Sequence, residues 1–289
     1  MKGGFFMAVF TNQAQLAYND SVTNSNIAVG EILEVLSATK TAVRAEYGQN
    51  DSVTYVVSLV NSGTTALNGL TLTDNLGAYT FGTQTLVPLS YIDGTIRYYV
   101  NGILQTAPAV TAGPPLVVSG INIPAGGNAI LVYEANVNQY APQAAEGSIT
   151  NTAVVSGAGI TPVTVEETVT TENEPNLTIT KSISPVPVTE NGTLTYTFVI
   201  QNSGNTAAVA TDNAVVTDIF DPILTNLSVS FNSVTWTEGV QYTYDETTGT
   251  FVTVAGQITV PAATYTQDPT TGVWVTNPGV STLVVSGTV

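Results

Sequence analysis

Apolar side chains recur at alternate positions in short runs along most of this chain, as in Val53, Tyr55 and Val57 and again in Leu194, Tyr196 and Phe198. A period of two places each set on one face of a β-strand. The runs are rich in Val, Thr, Ile and Tyr. They stop at Asn61-Ser62-Gly63, Pro124-Ala125-Gly126, Asn191-Gly192 and Asn202-Ser203-Gly204, residue types that accept the dihedrals of tight turns. Sustained helical periodicity is almost absent. The pattern predicts an all-β chain built from antiparallel sandwiches.

The strand pattern is also a repeat. LSATKTAV around Lys40 reads again as LTITKSIS around Lys181, and Lys40/Lys181, Tyr55/Tyr196 and Asn61/Asn202 are each 141 residues apart. Two tandem immunoglobulin-like β-sandwich domains are expected: residues 1–31 as an N-terminal segment, 32–173 as the first sandwich and 174–289 as the second. The polar, proline-bearing stretch Glu172–Asn176 is the expected hinge. An extra stretch at 264–280, carrying Trp274, reads as an inserted hairpin in the second copy.

The two copies differ in their endings. Copy one runs on through ILVYEANV, a connector, SITNTAVVSG (148–157) and VTVEETVTT (163–171), whereas copy two stops after TLVVSGTV (282–289). The missing continuation resembles residues 10–31, where FTNQAQLAYND parallels ITNTAVVSGAG. Along one face of that segment Phe10, Asn12, Ala14 and Leu16 match Ile149, Asn151, Ala153 and Val155. A sandwich without its last strands leaves unpaired backbone groups and an uncovered apolar groove. The N-terminal segment of another copy is therefore expected to complete the second sandwich by strand addition. Start-to-end contact of this type gives a ring where the rotations close and an open filament where they do not. Folding back onto its own chain, reciprocal swapping in a dimer and an unrelated role for the segment are the competing readings.

Composition narrows the chemistry. At 289 residues and 43% apolar content the chain can bury two ordinary cores. It has no Cys and no His, which removes disulfides, thiolate and imidazole catalysis, the usual zinc ligands and the common hydrolase triads. Five basic residues against 21 acidic ones give a net charge of −16, a surface that repels nucleic acid and anionic lipid. Acidity of this kind also keeps a Thr- and Asn-rich surface soluble. No apolar run is long enough to span a bilayer. Residues 1–10 superficially resemble a signal peptide but lead directly into repeat-like sequence; translation from Met1 or Met7 is equally compatible. We expect no enzyme, no cofactor and no metal. Glu166 and Glu167, the best carboxylate pair, alternate across a strand. The expected partners are identical subunits arranged head to tail, with any external ligand unidentified.

Two lysines deserve separate treatment because they share a face with apolar residues: Lys40 with Leu36 and Ala38, and Lys181 with Leu177 and Ile179. A buried ammonium requires a partner. The inward-facing acids are Asp74, on a strand with Leu70 and Leu72, and Asp218, with Ala214 and Val216. The inward amides are Asn151 and, by the displaced match, Asn12.

The order Lys181 to Pro185, a Tyr-bearing strand, Asn-Ser-Gly, VTD at 216–218, VSGTV and ITNTA at 149–153 resembles the DUF11 family of immunoglobulin-like repeats in bacterial and archaeal surface proteins. That resemblance implies a stalk, coat or adhesive component at the cell surface or outside it. Lys40 lacks the following proline. The Lys, Asp and Asn sets also resemble the isopeptide-forming domains of Gram-positive pilins and adhesins. By that resemblance Lys40 would join Asn151 with Asp74 assisting, and Lys181 would join Asn12 of a neighbour with Asp218 assisting; the alternative is a buried Lys–Asp ion pair. A surface adhesin for glycans or proteins, using aromatic residues near Ile92–Tyr99 or Trp274, is the second functional reading.

Overall fold

The computed structural model describes residues 7–289. Among these, the chain is made of strands and loops apart from one 3-10 turn at Ala210–Asp212. No described helix is long and apolar enough to cross a membrane.

The N-terminal segment contains β1 (Met7–Asn12), β2 (Gln15–Tyr18), β3 (Ser21–Asn24) and β4 (Ala28–Leu33). β1 pairs with β4, setting Phe10 opposite Gly30 and Asn12 opposite Ala28, and β2 pairs with β3, setting Tyr18 opposite Ser21. Between the two ladders the register slips by one residue, bridged by Ser25 N donating to Ala14 O at 2.8 Å. The result is one long two-stranded ribbon, turning at Asn19 with φ 49°. Asn tolerates that left-handed conformation. The ribbon strands pair only with each other, and every residue from Val9 to Val29 is exposed. An isolated two-stranded ribbon is marginal in water, so this arm lacks the third layer that would stabilise it.

The first sandwich follows with β5 (Leu36–Ala42), β6 (Ser52–Asn61), β7 (Leu67–Asp74), β8 (Leu116–Ile123), β9 (Asn128–Val137), β10 (Ser148–Ser156) and β11 (Val163–Thr171). One sheet has the order β5-β6-β9 and continues through Arg97–Val100 to Ile103–Gln105; the other runs Ala109–Thr111, β8, β7, β10, β11 and ends on Glu46–Tyr47. Alternation decides the core. Val53, Tyr55, Val57 and Leu59 of β6, Leu70 and Leu72 of β7, and Ala153 and Val155 of β10 are all fully buried.

The second sandwich has β12 (Leu177–Ser184), β13 (Thr193–Asn202), β14 (Thr217–Ile219), β15 (Thr225–Phe231) and β16 (Gly279–Thr288). Its first sheet, β12-β13-β16-β15 followed by Val234–Trp236, reproduces β5-β6-β9 strand for strand. The repeat offset survives in the register: Lys40 lies opposite Val57 and Lys181 opposite Phe198. The facing sheet has only β14, Thr250–Thr253 and Tyr242–Asp245. Among the described residues of this unit nothing stands where β10 and β11 stand in the first. An aromatic core that includes Tyr196, Phe198, Phe220, Phe231, Trp236, Tyr242 and Phe251 holds the rest together.

Packing divides the chain slightly differently from the sequence repeat. The first compact unit runs to Asn138 and takes in Ile149–Val169, and the second holds Gln139–Ser148 and Thr170–Val289. The connector thus belongs to the second unit rather than to the first sandwich. Its Gln139 O accepts from Trp274 N at 3.0 Å, and its Gln143 Oε1 accepts from Thr276 Oγ1 at 3.2 Å. The inserted hairpin, Thr264–Gln267 paired with Trp274–Asn277, is therefore a bracket that holds the connector.

Candidate functional site

In the first unit the strand alternation that buries Leu36 also buries Lys40, whose side chain is inaccessible to solvent, as is that of Asp74. Lys40 Nζ donates to Asp74 Oδ2 at 2.7 Å and to the backbone oxygen of Asn151 at 2.9 Å, and lies 4.8 Å from the centre of the Tyr55 ring. Burial lowers the lysine pKa, and the neighbouring Asp74 opposes that shift. Asp74 is further held by Leu76 N, which donates to Oδ1 at 2.8 Å, and by the Tyr133 hydroxyl, which donates to Oδ2. Burial also raises the Tyr133 phenol well above its ordinary range. Asn151 Oδ1 accepts from Gly77 N at 3.2 Å. The Asn151 amide lies alongside the Tyr55 and Tyr133 hydroxyls, yet its buried Nδ2 has no hydrogen-bond partner of acceptable geometry. A buried amide donor left unpaired is costly, and such groups concentrate at sites of chemistry. The three residues expected to meet in the first sandwich do meet.

The second unit contains the same site without its lid. Lys181 forms an ion pair with Asp218, and its Nζ lies 4.3 Å from the Tyr196 ring centre, with Phe198 and Phe220 at 5.6 and 5.5 Å. Its side chain is 39% exposed, against 0% for Lys40. The ion pair is made by Asp218 Oδ2. The apolar face beside Lys181 is open as well: Leu177 is 37% and Ile179 51% exposed, whereas Leu36, the counterpart of Leu177, is 7% exposed. Ile183 on the same face is also exposed.

The shape of what is missing can be read from the first unit. Thr171 N donates to Gly147 O at 3.0 Å and the hydroxyls of Thr150 and Thr168 meet at 2.8 Å, which sets Ile149 opposite Val169 and Asn151 opposite Glu167. The β10–β11 hairpin closes with Ile160 N donating to Gly157 O and with Ala158 at φ 50°. Subtracting 139 from these numbers gives Phe10 opposite Gly30, Asn12 opposite Ala28, a turn from Tyr18 to Ser21 and Asn19 at φ 49°. The free arm has the same pairing, the same turn and the same inward set of Phe10, Asn12, Ala14 and Leu16. Among the described residues of the second unit no hairpin occupies the place of β10 and β11.

No family model and no curated protein matches the chain. Among solved structures it is similar to the pilus backbone RrgB of Streptococcus pneumoniae, at 12% identity and TM-score 0.34, over 84% of this chain and 55% of that one. It is also similar to BcpA, the major pilin subunit of Bacillus cereus, at 12% identity and TM-score 0.35, over 93% of this chain and 73% of that one. A collagen-binding domain from a Staphylococcus aureus adhesin matches 46% of this chain with 95% of its own length, at 13% identity and TM-score 0.30. The chain spans about half the length of the pneumococcal pilus backbone. None of the three superposes closely enough to transfer a strand pairing or a residue role.

Two residues at the first site were not anticipated from sequence. Tyr133 carries a proton donor to Asp74 from β9, a strand whose apolar alternation reads simply as core. Glu167, half-buried on the inward face of β11, adds a second negative charge that favours the ammonium form of Lys40. Neither recurs at the second site. Tyr133 pairs with Tyr55 and Val285 pairs with the equivalent Tyr196, so Val285 takes the tyrosine's place, and the arm offers Ala28 where β11 has Glu167. One aromatic suggested for a sugar site is otherwise engaged: Tyr98 is buried and its hydroxyl donates to Asn122 O at 2.6 Å.

Replacing Lys40 by Met leaves the buried Asp74 carboxyl without its main partner. The first unit is expected to lose roughly 3–5 kcal/mol, checked by denaturant unfolding.

Proposed function

We propose that this protein is the structural subunit of a bacterial filament at the cell surface or outside the cell, polymerising head to tail. The arm of one copy completes the second sandwich of the next. What supports this is the register agreement between the exposed arm and the β10–β11 hairpin, together with a second unit open where that hairpin would lie. Main-chain hydrogen bonds along both open edges give affinity, and the inward side chains give register. Because the arm and the groove are different surfaces, every added copy exposes a fresh one, and growth continues unless a ring closes.

The lysine sites seal this arrangement. Asp74 accepts a proton from Lys40, the neutral amine attacks Cγ of Asn151, and the new C–N bond replaces the Cγ–Nδ2 bond. Ammonia leaves carrying the proton that Asp74 returns. When the arm docks, Asn12 takes the position of Asn151 beside Lys181 and Asp218, and the same exchange links two subunits.

Negative-stain electron microscopy of purified protein is expected to show fibres; a monodisperse monomer across salt and concentration would sink the proposal. Amine acylation gives a second check. In unassembled protein Lys181 is expected to react and Lys40 to be spared, whereas in fibres both are protected. Reaction of Lys181 at the same rate in the two states would contradict docking of the arm over it.

A further inference from the structure

We infer that Phe10 and Gly30 act together as a two-residue knob that fixes the register of the arm in the acceptor groove, and so delivers Asn12 to Lys181. The inference rests on the donor-arm reading above and names the residues that make it specific. Phe10 and Gly30 face each other across the β1–β4 ladder. A Cβ built on Gly30 would lie 2.3 Å from Phe10 Cζ and 2.5 Å from Cε1, so the ring lies flat across the glycine. The equivalent pair in the first sandwich is Ile149 and Val169, both buried. There Ile149 Cγ2 packs against Gly77, where an added Cβ would come within 2.5 Å of it. The arm gathers the bulk that β10 and β11 share onto one strand.

A knob is needed because the remainder of the inward set discriminates poorly. A one-residue slip turns every inward side chain outward and is rejected by burial. A two-residue slip keeps the apolar face and shifts the arm by only about 7 Å. Ala14 and Leu16 could accept that shift, but it would carry Phe10 to the level of Lys181 and remove Asn12 from reach. In the first sandwich the seat at this level is Gly77, three residues beyond Asp74; the same level in the acceptor, three residues beyond Asp218, is Asp221. Phe10 is itself 51% exposed in the free arm, so its ring is only partly covered there.

The test is an assembly-rate comparison by light scattering with full-length protein. Gly30→Val displaces the ring, which costs little in the free arm but leaves it nowhere to go in the groove. Phe10→Ile leaves the seat partly empty. Each single variant is expected to assemble more slowly by about thirtyfold or more, as when a buried aromatic anchor is truncated. The double variant Phe10→Ile/Gly30→Val restores the pair used in the first sandwich and is expected to recover most of the rate. Peptide mapping should show the Lys181–Asn12 link falling and returning in parallel, with circular dichroism unchanged throughout. Single variants that assemble at the unmodified rate, or a double variant no better than the slower single, would overturn the knob while arm deletion still abolished fibres. Fibres formed without the arm would instead overturn the donor reading itself.

Discussion

Deleting residues 1–33 is expected to abolish fibres and to leave monomer whose second unit unfolds at lower temperature than the same unit inside a filament. The deletion removes the ribbon, in which every residue from Val9 to Val29 is exposed. It leaves the groove uncovered. Docking buries Phe10 and Leu16 of the arm and Leu177, Ile179 and Ile183 of the groove, each now substantially exposed. At roughly 1.5–3 kcal/mol for burying a fully exposed side chain, five that are about half exposed give a gross gain of about 4–8 kcal/mol. Association and ordering cost about 4–15 kcal/mol, so apolar burial alone does not decide the outcome. Main-chain pairing and the preformed hairpin tip the balance. Adding a synthetic peptide of residues 7–33 to the deleted protein should raise the melting temperature of the second unit and block its uptake into growing fibres. Electron microscopy and calorimetry check both statements; fibres from the deleted protein would refute the account.

Asn12→Ala separates docking from sealing. Fibres are expected still to form, because Asn12 adds little to apolar burial, but boiling in detergent should reduce them to monomer instead of a ladder. The proposed Lys40–Asn151 link would be untouched, so intact mass should still fall short by one ammonia. Lys181→Arg is expected to act in the same way. The intersubunit link should also form more slowly than the intramolecular one. Val285 stands opposite Tyr196 where Tyr133, which donates to Asp74, stands opposite Tyr55, and Lys181 is solvent-accessible in the free subunit. A detergent-resistant ladder that persists in Asn12→Ala would remove Lys181–Asn12 bonding from consideration.

How much was legible in advance depended on whether the signal was local. Alternation and turn residues gave strands and faces, because a strand's side-chain period is fixed by its backbone. Lys40, Asp74 and Asn151 could be placed on inward faces for that reason. Distance could not, since the three come from β5, β7 and β10, and only the order of strands in two facing sheets brings them to 2.7–2.9 Å. The same holds for Tyr133, which looks like any core tyrosine until β9 is placed beside β6. The connector's place in the second unit, and the role of the inserted hairpin in holding it, depend on contacts between segments more than a hundred residues apart.

By itself, then, the sequence determined that a strand repeat exists, and that residues 10–31 carry the pattern of the strands at 149–171, because periodicity and spacing are properties of the covalent chain. The tertiary structure decided that the arm is a hairpin with the same register as β10 and β11, and that one lysine is enclosed while its twin stands open to water. Those are matters of which surfaces exclude solvent, and solvent exclusion arises only when distant strands pack.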